Sequence, residues 1–319
     1  MSFETLVNAL NTQRGFSDLF FNPDDLSEKE KEEITKTFVL SLHTAASDLV
    51  SAVNYKDHRQ TQHQVDHAKI VYKAVDVFRY MLATLNLWQI KPEDFVEACE
   101  VKDNFLHMRH THETAKRLPD QKVIVFDCDD VIAGFRETFN KWLSKEKGVM
   151  IDPDSKEYYN TVGVQDAGFE PESVFREFIS DDGFRSLPAD KKVVETMNLL
   201  RAKGYWIQIL TARPSDNLRC YYDTYWWLKK MNIPFNAIGF SGEKFRWLSD
   251  QDYYSEGAVV CAIDDSPKHA AELAKHGVKV IVPSLPYNEE VADKKDVFRV
   301  DFNKCTSEDL ADIIEGAIT

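Results

Sequence analysis

Apolar residues return every three or four positions over three early stretches: Ser27 to about Tyr55, about Val65 to Trp88, and Pro92 to about Ala115, as in Ile70, Ala74, Val77, Phe78, Met81, Leu82 and Leu85. That period keeps one stripe of each helix apolar, so these stretches predict helices that pack as a bundle. Helix starts are marked as well. Ser27 and Glu30 have the spacing of a capping box, and Pro92-Glu93-Asp94 sets a proline in a first turn with acids beside the positive end of the helix dipole. At Leu118-Pro119-Asp120-Gln121 the pattern changes to short apolar runs, Val123 to Phe126, Trp206 to Leu210, Phe235 to Phe240, Ala258 to Ile263 and Val278 to Val282, with helical stretches between them. Buried strands separated by helices predict a parallel sheet with right-handed crossovers, an open α/β domain whose chemistry lies beyond the carboxyl ends of its strands. An all-α domain over about residues 1–118 and an α/β domain over 119–319 are therefore expected.

Composition narrows the class. The 319 residues exceed one domain of about 150 residues, and 43% apolar with 12% aromatic residues is enough to build two cores. The 53 acidic against 39 basic residues give a net charge of −14, which repels phosphate backbones and disfavours a nucleic-acid partner. Cys99, Cys128, Cys220, Cys261 and Cys305 are odd in number, far apart and free of CxxC spacing, so neither a disulfide framework nor a zinc site is expected, and a reducing cytoplasm is. The N-terminus lacks the basic start and apolar block of a signal peptide, and no apolar run approaches the about 18 residues of a membrane span, so no membrane association is expected.

Candidate chemistry collects where the apolar runs end. The first runs into Asp127-Cys128-Asp129-Asp130; residues two apart on a strand face one way, so Asp127 and Asp129 can share a site while Cys128 faces the other side. The others are Leu210-Thr211, Lys244 within Phe240-Ser241-Gly242-Glu243-Lys244, and Ile263-Asp264-Asp265-Ser266-Pro267. An isolated DxD is more often an N-cap or a solvated turn, but four ordered strand-end elements are not. Together they resemble the haloacid dehalogenase superfamily from about Gln121 to the C-terminus, which implies an open Rossmann-like parallel sheet with a helical cap insertion.

An attacking carboxylate meets an anionic phosphate monoester only with a cation between the charges, and Asp127, Asp129 and Asp264 or Asp265 are the hard oxygen ligands that Mg²⁺ prefers. Mg²⁺ is the expected cofactor. The resemblance implies that Asp127 is the nucleophile of an aspartyl-phosphate, and that Asp129 protonates the leaving oxygen, later activates water, and reaches the metal through its backbone carbonyl. It also implies that Thr211 and Lys244 hold the phosphoryl oxygens. Dehalogenases need no acid at the second position, so Asp129 favours phosphoryl chemistry. Asp130 departs from the usual Gly; Asp tolerates unusual backbone angles, but a further carboxylate here is expected to perturb metal binding.

About 80 residues separate Asp129 from Thr211, more than one crossover helix requires, so a cap is expected over about residues 134–190. It contains Phe135, Arg136, Trp142, Tyr158, Tyr159, Phe175, Phe184 and Arg185. The segments 129–135, 183–185, Thr211-Ala212-Arg213-Pro214, Glu243-Lys244 and Ile263-Asp264-Asp265 look like the 5′(3′)-deoxyribonucleotidases, whose helical cap closes aromatic side chains over a base. That implies a deoxynucleoside 5′-monophosphate as substrate, with contacts from Phe135, Arg136, Phe184, Arg185, Ala212 and Arg213. Phe135 is the residue expected to stack on the base, most other cap aromatics forming cap core. The alternatives are a polynucleotide 3′-phosphatase, against which the negative charge argues, and a non-catalytic nucleotide-binding regulator, against which the intact acidic set argues.

The helical half carries a second resemblance. Ser51-Ala52-Val53-Asn54-Tyr55-Lys56, Val75-Asp76-Val77-Phe78-Arg79-Tyr80 and Val101-Lys102-Asp103-Asn104 with Arg109 are similar to the all-α nucleotide pyrophosphatases of the dimeric dUTPase and MazG type, which bind Mg²⁺ through EExxE and ExxD motifs. Here those positions read Thr44, Ala45 and Asp48, then Lys73 and Asp76. With half its carboxylates gone such a site binds metal far more weakly, so this half is expected to have lost pyrophosphatase activity and to serve homodimerisation or nucleotide sensing, simple helical packing weighing about equally. Seven histidines lie here, His43, His58, His63, His67, His107, His110 and His112; the turn-spaced pair His63 and His67 lacks an HExxH or His-Asp companion, so exposed polar positions are expected.

Overall fold

The computed structural model describes residues 3–17, 21–53, 65–114, 116–149, 161–291 and 294–318. Asn54, Tyr55, Lys56, His58, His63, Tyr158 and Tyr159, and the side chain of His112, lie outside the described residues. The chain divides into two compact units, Met1–Glu100 and Val101–Thr319.

The first unit is helical, with α1 (Phe3–Ser17), α2 (Glu28–Ser51), α3 (His67–Leu87) and the start of α4 (Pro92–Thr114). The expected capping box is present: Ser27 N donates to Glu30 Oε2 at 2.9 Å and Glu30 N to Ser27 Oγ at 3.4 Å, satisfying two amides that a helix start leaves without partners. Trp88 Nε1 donates to Thr35 Oγ1 (2.8 Å) and Lys73 Nζ to Asp48 Oδ2 (2.9 Å), so the start of α2 meets the end of α3 and the two helices run antiparallel. Leu6, Leu10 and Leu82 are buried together, backed by Phe78, Leu85 and Phe95, members of the predicted apolar stripes.

In the second unit β1 (Val123–Phe126) is followed by α5 (Phe135–Trp142), α6 (Thr161–Asp166), α7 (Pro171–Ser180) and α8 (Lys191–Ala202), then β2 (Trp206–Thr211), α9 (Leu218–Lys230) and β3 (Ala237–Phe240). After these come α10 (Lys244–Ser249), α11 (Asp252–Ser255), β4 (Val259–Ile263), α12 (Pro267–Lys275), β5 (Lys279–Pro283), β6 (Val297–Val300) and α13 (Ser307–Ile318). The six strands pair in parallel in the order β3-β2-β1-β4-β5-β6. The sequence predicts five of them. The sixth, β6, is an edge strand buried only at Val297, so it shows no continuous apolar run.

Strand residues alternate between two cores. Ile124, Phe126, Ile207, Ile209 and Ile263 face one side with Leu200, Trp227 and Ile314; Val123, Val125, Leu210, Ala262 and Val280 face the other with Leu248, Ala270 and Leu273. Chain direction across the sheet reverses between β1 and β4, which opens a crevice beyond their carboxyl ends. Over that region the helical insertion leaves at Ala133 and returns at Ala189, which pair antiparallel, with Gly134 N donating to Pro188 O and Asp190 N to Ile132 O at 2.9 and 2.8 Å. Gly134 keeps this neck close, since a Cβ there would lie 3.2 Å from Pro188 Cγ. No described helix is long and apolar enough to cross a membrane.

Candidate active site

Asp127 is the first residue past β1, its amide still in the sheet and donating to Ile263 O at 2.8 Å. The chain then turns: Ile132 N and Ala133 N both reach Cys128 O, and Asp130 takes a φ of +53°, a left-handed conformation that Asp enters more readily than most residues. Its Oδ1 accepts from Arg136 N at 2.9 Å and so closes the start of α5; burial pushes this carboxyl up to about 7. The extra carboxylate is thus used in building the neck of the cap. Cys128 lies in the apolar core, where burial pushes its thiol up, while Asp127 and Asp129 line one cavity, as the strand alternation predicts.

Lys244 opens α10 and is wholly buried, its Nζ 2.7 Å from both Asp127 Oδ1 and Asp264 Oδ2. Asp264, just past β4, also accepts from Ser266 N at 3.0 Å, and Asp265 Oδ2 accepts from the Tyr287 hydroxyl at 2.5 Å. Oxygens of Asp127, Asp264 and Asp265 all lie within 4.8 Å of one another. One lysine against three buried carboxylates leaves negative charge in excess. Burial pushes Lys244 down, but Asp127 and Asp264 outweigh it and hold the lysine above its ordinary value. Burial likewise works against Asp264, yet Lys244 and His269 hold it at about 2. Burial pushes Asp127 and Asp265 up, Asp265 well above the usual carboxylate range with the charges of Asp127 and Asp264 adding to the effect. Asp127 Oδ1, although near Lys244, has no aligned hydrogen-bond donor among the described residues. An all-oxygen donor set, an under-partnered buried oxygen and excess negative charge fit a small hard cation such as Mg²⁺. Both Asp264 oxygens already accept hydrogen bonds, from Lys244 and Ser266, so Asp127 and Asp265 are the better placed donors.

Asp129, expected to reach the metal through its backbone carbonyl, has its carboxylate outside this cluster of side-chain oxygens. Arg213 grips it in a fork, Nε to Oδ2 at 2.9 Å and Nη2 to Oδ1 at 2.6 Å, and is itself fixed by Thr224 Oγ1 at 3.1 Å and by the Phe184 ring, 4.3 Å from its guanidinium carbon. Thr211, the last residue of β2, is fully buried and its hydroxyl accepts from Arg213 N at 3.2 Å.

Asp127, Asp129, Asp265 and Arg213 line a cavity of about 760 Å³, behind which Lys244, Asp264 and Thr211 are buried. Of the expected substrate contacts, Phe135, Phe184, Ala212 and Arg213 line it, whereas Arg136 and Arg185 do not. Arg185 is bound to buried Asp223, Nε to Oδ1 at 2.6 Å, and lies over the Trp226 ring. Arg136 lies over Tyr287. Phe135 is only 2% exposed and packs 5.5–5.8 Å from Phe139, Phe178 and Phe184, so it is chiefly cap core; Phe175 is less buried and lines the cavity. The sequence reading did not single out Arg176, Asn217, His269 or Tyr287, which line it too. Arg176 pairs with Glu172 one turn away at 3.3 Å, a spacing that in sequence resembles any solvated helix face.

In the helical unit, Asp48 and Asp76 come together on Lys73, at 2.9 and 3.5 Å, beside a separate cavity of about 760 Å³ that Thr44, Ala45, Phe38 and Tyr80 also line.

No protein-family model matches the chain, and no curated protein does. Among solved structures the chain is similar to a protein of Clostridium difficile assigned as a phosphatase (15% identity, 61% of this chain and 99% of that one, TM-score 0.46). It is also similar to a Had-superfamily hydrolase of Ehrlichia chaffeensis (14%, 64% and 100%, TM-score 0.36) and to CbbY of Rhodobacter sphaeroides (16%, 60% and 96%, TM-score 0.39). Such likenesses do not bear on the chemistry, for which the strand-end side chains are the ground.

Proposed function

We propose that this chain is a Mg²⁺-dependent phosphatase that hydrolyses deoxynucleoside 5′-monophosphates through an aspartyl-phosphate. The observation that carries the reading is the buried group of Asp127, Asp264 and Asp265 around Lys244, bordering a cavity whose cap side is aromatic. Asp127, Asp265 and Asp264 would hold the ion, which supplies positive charge that lets a carboxylate approach a phosphoryl group and keeps Asp127 ionised.

A carboxylate oxygen of Asp127 attacks phosphorus and the bond to the ester oxygen breaks, leaving an acyl phosphate and an alkoxide. Asp129 supplies the leaving oxygen's proton. It then takes a proton from water, whose oxygen attacks phosphorus and returns Asp127 as a carboxylate. Lys244 and the Thr211 hydroxyl offset charge on the transferring oxygens. Arg213 keeps Asp129 at one position between the two steps. Phe175, with Arg176 and Asn217 around it, offers a ring face and polar contacts that suit a base. A homodimer through the helical unit belongs to the same reading, supported by Leu40 and Tyr72, exposed at 70% and 73%.

A panel of nucleoside monophosphates and sugar phosphates with Mg²⁺, read as phosphate release, tests this. Deoxynucleoside 5′-monophosphates should be turned over, and Asp127→Asn should reduce the rate by about a thousandfold or more. Release from none of the nucleotides, or an active Asp127→Asn enzyme, would refute the reading.

A further inference from the structure

Tyr287 lies in the loop after β5, far in sequence from every strand-end acid before β4, yet its hydroxyl donates to Asp265 Oδ2 at 2.5 Å. The loop that carries it is fixed from several sides. Asn288, wholly buried, donates through Nδ2 to the carbonyls of Asp265 (3.0 Å) and Pro283 (2.8 Å). Its Oδ1 accepts from Leu285 N at 3.1 Å and from Arg299 Nε at 3.2 Å, and Arg299 Nη2 also reaches Leu285 O at 3.0 Å. The Arg136 guanidinium carbon lies 5.5 Å from the Tyr287 ring centre. The phenol is therefore held against Asp265 and does not swing freely.

One oxygen of Asp265 is thus taken by a neutral donor. Lys244 and the Ser266 amide occupy both oxygens of Asp264, while Asp127 Oδ1 has Lys244 Nζ at 2.7 Å without an aligned donor. Asp265 tied in this way has one free oxygen at most, and a two-oxygen grip by it would require giving up the Tyr287 hydrogen bond. Mg²⁺ takes six ligands at about 2.0–2.1 Å, several of them waters, whereas Ca²⁺ takes six to eight at about 2.3–2.6 Å and readily accepts a carboxylate through both oxygens.

We infer that Tyr287 is a positioning residue that restricts Asp265 to one-oxygen ligation and so selects Mg²⁺ against Ca²⁺ at this site. The inference rests on the metal-binding part of the function proposed above, and its test needs no substrate. Calorimetric titration of the full chain with Mg²⁺ alone and with Ca²⁺ alone, for wild type and Tyr287→Phe, reads both affinities. Outer-shell changes cost about 10–100-fold in metal affinity, so Tyr287→Phe should bind Mg²⁺ about tenfold more weakly while Ca²⁺ affinity holds or rises. The phenylalanine keeps the ring, and Asp265→Asn should weaken both ions, locating them at the cluster. A Mg²⁺ to Ca²⁺ preference unchanged in Tyr287→Phe, whether both affinities stay or both fall together, overturns the inference and leaves the function standing. A wild-type chain that binds neither ion overturns the metal reading itself.

Discussion

Lys73 lies 2.9 Å from Asp48 and 3.5 Å from Asp76, and Lys244 lies 2.7 Å from both Asp127 and Asp264, so each unit brings one lysine onto two aspartates. The surroundings differ. In the helical unit the side chains of Lys73, Asp48 and Asp76 are 31%, 52% and 50% exposed; in the α/β unit those of Lys244, Asp127 and Asp264 are 1%, 8% and 3% exposed. Water screens the first set, which can re-form with solvent at little loss, while the second has only its own members, a third carboxylate and whatever the cavity admits. The same residue types thus give a solvated ion-pair group in one place and a buried charged cluster in the other, and burial is the difference.

The largest effect separates the two lysines. Lys244→Met leaves Asp127 and Asp264 buried without their cation, which should destabilise the α/β unit by about 3–5 kcal/mol and remove phosphatase activity. Lys73→Met should leave activity and the thermal transition almost where they are, because its partners turn to water. Thermal melts and phosphate release on the two variants decide it; equal losses would break the comparison.

A second, smaller effect concerns the partner of Asp129. Arg213→Lys keeps the charge and loses the fork, so Asp129 should no longer be held for proton transfer, which contributes about 10²–10⁴-fold where it operates. Turnover of a nucleotide, whose alkoxide leaving group needs a proton, should drop about a hundredfold. Turnover of an aryl phosphate, whose phenolate leaves unaided, should drop far less. Equal losses on both substrates would assign Arg213 a packing role only.

Parts of this arrangement were legible in sequence because burial leaves a local trace. Each buried strand is an apolar run, and acids that stop such a run stand out, so Asp127, Asp264 and Asp265 are legible, Thr211 and Lys244 being added by the family resemblance; the structure places Asp127, Lys244, Asp264 and Asp265 together. The edge strand β6 has half its face in solvent and left no run. Pairings between distant polar residues leave no trace either. Arg213 on Asp129, Arg185 on Asp223 and Tyr287 on Asp265 join residues 84, 38 and 22 positions apart, distances at which no periodicity relates one side chain to another. Nor does sequence say which of several phenylalanines in a cap is the more open to the cavity, which Phe135 and Phe175 both line, Phe135 being the more buried.

The smallest effect sharpens the helical side of the comparison, where the charged groups are exposed. Ser27→Ala removes the side-chain cap of α2 and should cost about 1 kcal/mol in the helical unit's transition, with no change in phosphatase activity. The Ser27 hydroxyl and amide hold the Glu30 carboxyl below its ordinary value. A carboxyl lowered by folding stabilises the fold above its unfolded pKa and ceases to do so as pH falls through the folded value. The wild-type helical unit should therefore lose part of its stability on acidification below the carboxylate range, and Ser27→Ala should lose less over the same interval because it starts without the hydroxyl's contribution. Melts followed by helical circular dichroism at neutral and acidic pH measure the two slopes; identical slopes would mean that the capping box carries no charge-dependent stability.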